Sequence, residues 1–96
     1  MSEEIICIAQ FIAKEEKKDQ LKLSLIELLE PTRNENGCLS YTLHENIENP
    51  NILTVIENFK NKEAFDLHGQ QPYLVNFKNI VGDLASSAEV TISKKV

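Results

Sequence analysis

The chain has 96 residues, 15 acidic and 10 basic, a formal net charge of −5, two cysteines, two histidines and no tryptophan. A chain of that length is one domain, residues 1–96, and it buries only roughly 60–65% of its unfolded surface, so association with a second copy would help it. The acidic balance excludes nucleic acid as a general partner, because phosphate binding needs a basic face. No apolar run approaches the ~20 residues that cross a bilayer. The opening Met-Ser-Glu-Glu lacks the basic n-region of a signal peptide, so the expectation is a cytoplasmic protein without a membrane partner. The lysines are scattered among acids and read as solvated surface.

In chain order, residues 4–13 are a strand pattern in which both faces, Ile5/Cys7/Ala9/Phe11/Ala13 and Ile6/Ile8/Gln10/Ile12, are largely apolar. Such a strand is covered on both sides. Residues 15–30 switch to helical period, with Leu21, Leu25, Leu28 and Leu29 in a stripe; Pro31 disfavours the α conformation at Glu30 and is expected to end the helix there. Asn36-Gly37 is a turn signal, since both residues tolerate positive φ. A second strand, 38–46, sets Leu39, Tyr41 and Leu43 against Cys38, Ser40, Thr42 and His44. After the turn cluster at Pro50, a third strand over 52–59 sets Leu53, Val55, Glu57 and Phe59 against Ile52, Thr54 and Ile56, and the two strands form an antiparallel hairpin. Asn61 is the expected N-cap of a short helix carrying Ala64, Phe65, Leu67 and His68. A further helix spans 72–84, and a last strand spans about 88–93.

The order β-α-β-β-α-β is the split-βαβ or ferredoxin-like arrangement, an α+β fold with a four-stranded antiparallel sheet and helices on one face. The other face keeps apolar residues that this chain does not cover. A second copy packed sheet to sheet is the simplest solution, giving a homodimer.

Among residues that could carry chemistry, the three glycines are isolated and form no phosphate loop. Cys7 and Cys38 have no metal-ligand spacing and read as small core residues; the two histidines, with no clustered acids, predict no metal site. His68, between Phe65 and Tyr73, can accept or donate a proton near neutral pH and could orient or deprotonate a phenolic hydroxyl in an apolar pocket. From spacing alone, a structural histidine hydrogen-bonded at a helix end is the commoner outcome. Glu57 sits in an apolar strand and needs a partner: Arg33, His44 or a bound substrate hydroxyl, with a structural ion pair the commoner outcome. Arg33 and Glu35 flank the turn and could pair with each other or with the partner chain. His44 is expected to be exposed. Tyr41 and Tyr73 suit a core edge or a pocket wall, and Phe11, Phe59, Phe65 and Phe77 are core by default.

Residues 31–41, Pro-Thr-Arg-Asn-Glu-Asn-Gly-Cys-Leu-Ser-Tyr, together with Pro50, Glu57, Phe59, Ala64, Phe65, His68, Pro72 and Tyr73, resemble in order and spacing the antibiotic biosynthesis monooxygenase (ABM) family, in its small quinol monooxygenase-like branch. The resemblance covers 6–90 and implies a dimeric α+β barrel formed where two sheets meet. It implies a pocket between helices and sheet, with His68 as the catalytic histidine and Phe65, Tyr73, Tyr41, Glu57 and Phe59 as substrate-pocket residues. Many members carry tryptophan two residues after the acid; Phe59 here keeps apolar volume but lacks the indole N–H. The implied chemistry is oxidation of a small aromatic substrate, a quinol or polyphenol, by dioxygen without a bound cofactor. Haem degradation is disfavoured, because no basic cluster awaits the propionates. Two other readings fit the same scaffold: an isomerase of a small phosphorylated signalling sugar, for which Arg33 is the only arginine, and a non-catalytic dimeric module that binds a hydrophobic ligand in a stress response.

Overall fold

The computed structural model describes residues 3–96; the first two residues of the Met-Ser-Glu-Glu start discussed above lie outside them. The elements are β1 (Ile5–Ala13), α1 (Lys18–Ile26), α2 (Leu29–Arg33), β2 (Cys38–Glu45), β3 (Ile52–Phe59), α3 (Lys62–Gly69), α4 (Pro72–Leu84) and β4 (Ala85–Lys94). The strands form one antiparallel sheet in the order β2-β3-β1-β4, with all four helices on one side. This is the α+β ferredoxin-like fold that the order of elements predicts.

The two-faced pattern of β1 puts it at the centre. Its Cys7, Ala9, Phe11 and Ala13 are buried under the helices beside Leu53 and Val55 of β3. Leu21, Leu25 and Leu28 close the core from above, and Phe77 of α4 meets Phe11 edge to face, ring centroids 5.6 Å apart. Each such aromatic pair contributes about 0.5–1.5 kcal/mol beyond area burial. On the opposite face Ile6, Ile8, Ile12, Ile52 and Ile56 are only partly buried or exposed. Among the described residues no element covers them.

Four local features differ from the sequence reading. The helix expected over 15–30 is two helices: α1 stops at Ile26, and α2 starts at Leu29 and carries Pro31 within its first turn. Proline is tolerated there because that N–H has no intrahelical acceptor to lose. The Asn36-Gly37 turn uses no positive φ; Glu16 is the positive-φ residue among those described. Gly37 is required for a different reason, since a Cβ there would lie 2.3 Å from the Ala64 Cβ on α3. The pairing of β2 with β3 slips between Cys38 and Ser40. This bulge turns Leu39 out to 57% exposure and puts Cys38 on the same side as Tyr41, where simple alternation opposes them. Finally, β4 begins directly after Leu84, ahead of the expected position 88.

Candidate functional site

A cavity of about 720 Å³ lies between the helices and the sheet. Its walls are mostly apolar: Ala9, Phe11 and Val55 from the sheet floor, Leu74, Phe77 and Val81 from α4, and Ala88, Val90 and Ile92 from β4. Val90 and Ile92 are more than half exposed, so the cavity opens along β4. Lys78 and Asp66 stand among its lining residues.

The polar end is built by three elements. Asn61 caps α3 by accepting the Ala64 N–H at 2.8 Å, fixing the helix start so that its last turn delivers His68 to the cavity. There His68 is 2% exposed. Its ring lies over Phe59, centroids 4.9 Å apart and tilted 32°, with the Tyr41 ring at 5.7 Å. Its Nδ1 is 2.8 Å from Glu35 Oε2. With the ring N–H donated to that carboxylate, the Nε2 lone pair is left toward the cavity. Nε2 stands 3.6 Å from Glu57 Oε1, too far for a hydrogen bond.

Glu57 projects from the helix-side face of β3 and is 6% exposed. Its Oε1 is buried without a hydrogen-bond partner. Burial is the main reason its carboxyl is pushed up to about 7; the Cys7 thiol beside it holds the rise back, and the Glu35 charge adds to it. Glu57 can therefore take or give a proton near neutrality. Cys7 stands directly opposite Glu57 in the β1–β3 register. Burial first and the Glu57 charge second push its thiol up to about 12, which keeps it un-ionised and unreactive. The Tyr41 phenol is also pushed up, by burial and then by Glu57.

Of the residues singled out from sequence, His68, Glu57, Phe65 and Tyr41 line this cavity. Phe59 and Tyr73 do not. Phe59 is fully buried behind the His68 ring, packed edge-on against Phe65 at 5.7 Å. Tyr73 lines a separate depression of about 540 Å³ on the far side of Glu35. From there its hydroxyl donates to Glu35 Oε2, with the Pro31 carbonyl 3.4 Å away; burial, then the bond to Glu35, pushes this phenol up. Arg33 does not pair with Glu35, its Nε donating instead to the Tyr41 carbonyl at 2.9 Å. Nor do Arg33 or His44 partner Glu57; His44 is exposed on the other sheet face, bonded to Thr42 Oγ1 at 2.8 Å. Glu57 is flanked in the sheet by Cys7 on β1 and Tyr41 on β2, with His68 reaching it from α3.

Sequence reasoning missed the part played by Glu35, which holds both His68 and Tyr73. Its signal was its place two residues before the glycine turn, but nothing local says that α3 and α4 converge on that turn. Cys7 was missed as Glu57's neighbour because the pairing of β1 with β3 is a long-range fact. Among the described residues, no three metal-ligating side chains converge, and no helix is long and apolar enough to cross a membrane.

Residues 4–79 match the family model for antibiotic biosynthesis monooxygenase. The chain is 31% identical over 84 residues to Rv0793 of Mycobacterium tuberculosis, a candidate monooxygenase, covering 88% of this chain and 82% of that protein. The solved structure of Rv0793 superposes with a TM-score of 0.92, covering 97% of this chain and 95% of that one. An uncharacterised Synechocystis protein, sll1783, is 33% identical over 91 residues, 94% of this chain and 62% of its own length; the chain thus spans less than two thirds of that relative. The crystal structure of SO0527 from Shewanella oneidensis superposes with a TM-score of 0.95 at 29% identity, covering 99% of this chain and 93% of that one.

Proposed function

The chain belongs to the antibiotic biosynthesis monooxygenase family, and from that membership and the geometry of the cavity we propose that it oxidises a quinol or polyphenol with dioxygen. The observation that carries this reading is an imidazole nitrogen presented at the buried end of an apolar cavity, its other nitrogen held by Glu35. Phe65, Phe77 and Val55 line the space that a flat aromatic ring would occupy, and apolar walls of this kind exclude water. His68 Nε2 takes the phenolic proton, and Glu57 hydrogen-bonds the same end of the ring. The phenolate is far more electron-rich than the phenol and gives an electron to dioxygen. In the balanced reaction the quinol supplies all the electrons: one oxygen atom is inserted into a ring C–H bond, the other leaves as water with the two hydroxyl hydrogens, and the ring departs as the hydroxylated quinone. The substrate itself is the reductant in this scheme, so no bound cofactor enters it.

The uncovered isoleucine face supports a second part of the proposal: two copies pack these faces together, closing the barrel. That arrangement leaves both cavities on the outer, helical sides.

Oxygen uptake with a panel of quinols and polyphenols tests the activity. Uptake above autoxidation is expected, and His68→Ala should lower it by on the order of a hundredfold or more while the assembly stays intact. Uptake that is unchanged in the variant would remove His68 from the chemistry. No uptake with any compound would return weight to an isomerase or a ligand-binding module.

A further inference from the structure

The cavity that holds His68 and the polar depression that holds Glu35 and Tyr73 have no lining residue in common. A side-chain hydrogen bond joins them, from His68 Nδ1 to Glu35 Oε2 at 2.8 Å. The His68 side chain is 3% exposed, whereas the Glu35 side chain is 14% exposed and borders the depression together with Asn34, Lys60 and Gln71. The imidazole thus forms the wall between an apolar compartment and a wet one.

We propose that Glu35 and Tyr73 form a proton store behind His68, which takes the ring's Nδ1 proton when Nε2 is protonated from the cavity and returns it later. The proposal rests on reading the apolar cavity as the substrate site. The bookkeeping is closed. A phenol O–H proton moves to Nε2, and the Nδ1 proton moves to Glu35 Oε2, so the ring stays neutral beside the new phenolate. When Nε2 gives its proton to the reduced oxygen, Glu35 returns its own to Nδ1 and the original tautomer is restored. No net proton is gained or lost, and the ring need not rotate, a motion that its stacking on Phe59 would hinder.

Tyr73 suits this task because its hydroxyl has two acceptors in reach. It donates to Glu35 Oε2 while that oxygen is ionised. When the oxygen takes up a proton, the hydroxyl can turn to the Pro31 carbonyl, 3.4 Å away. Glu35 and Tyr73 are therefore positioning residues that act through His68 and never meet the ring being oxidised.

The test needs neither substrate nor turnover. In ¹⁵N-labelled, ligand-free protein, the His68 Nδ1 proton should exchange with water by way of Glu35 and the depression. Glu35→Gln keeps the size and can still accept the N–H bond, but it cannot carry a proton, so exchange should slow on the order of a hundredfold. A merely structural Glu35 gives the opposite sign: losing its charge loosens the ring, and exchange speeds up or stays the same. Either result overturns the store. Leu67 is 57% exposed and lines the depression from α3, so Leu67→Trp should cap it in a fold that is otherwise untouched and slow exchange too; exchange as in the parent protein overturns the proposal even if Glu35→Gln does not fold. An absence of quinol oxidation leaves these exchange rates as they are, so the two readings fail separately.

Discussion

Glu57 shows how a single buried group sets both stability and chemistry. Its carboxyl rises from 4.5 to about 7 on folding, so between those values the folded chain holds a proton that the unfolded chain has lost. Stability falls with rising pH wherever the folded state binds more protons. The cost therefore begins near pH 4.5, is complete above about pH 7, and amounts to about 3 kcal/mol for a shift of this size. Glu57→Gln removes the charge and keeps the shape. The variant should be more stable than the parent by about 2–3 kcal/mol at pH 8 and no more stable at pH 4, measured as urea midpoints at matched protein concentration. A difference independent of pH would mean that Glu57 is not held against its ionisation. Under the proposed activity, the use of this costly carboxylate at the end of an apolar cavity, beside His68 and with an unpartnered oxygen, is to hydrogen-bond the substrate hydroxyl.

At the scale of elements, the site depends on how closely the α2–β2 turn can approach α3. Gly37 lies against Ala64, and its carbonyl accepts the Lys60 N–H at 2.9 Å, tying the turn that carries Glu35 to the helix that carries His68. Gly37→Ala puts one methyl on another and must push these elements apart, at a cost of about 1–3 kcal/mol by thermal or chemical unfolding. Ala64→Gly in the same chain should recover most of that loss, as expected for two sites sharing one space; no recovery would place the strain elsewhere. The same pair explains what the sequence could and could not reveal. Strand periods, the Asn61 cap and the apolar helix faces are local signals, and they yielded the order of elements, the sheet and the position of His68. The reason for Gly37 was misread, because turn chemistry is local and the clash with Ala64 is not. The bulge at Leu39 and the break in the first helix were hidden for a like cause: each is set by what the neighbouring strand or core accepts. Glu35 was legible only as a turn residue, since its two partners arrive from 33 and 38 residues further along the chain.

At the scale of the molecule, the sheet has one face in the core and one face rich in isoleucine. Ile8 pairs across the sheet with Ile56, and Ile12 with Ile52, so the side chains form a contiguous patch across the two central strands. Ile8 is 41% exposed. A patch of this kind on so small a domain is a surface awaiting a partner, and antiparallel strands with one covered face suit sheet-to-sheet packing about 10 Å apart. The proposed partner is a second copy, and a two-fold arrangement would set each patch against itself. Ile8→Lys places a charge at the middle of that contact, where burying it unpaired is costly. The proposed dimer predicts that the parent sediments as a dimer and the variant, at the same concentration, as a monomer. Because the small domain has little stability to spare, it should also unfold at a lower temperature. The His68–Glu35 bond lies on the opposite side of the sheet, so the exchange rate of the His68 ring proton should not change. A variant that remains dimeric would move the interface to another surface. One that becomes monomeric with a disturbed His68 would show that the two faces communicate through the sheet, and that the cavity takes its shape from the assembly rather than from the single chain.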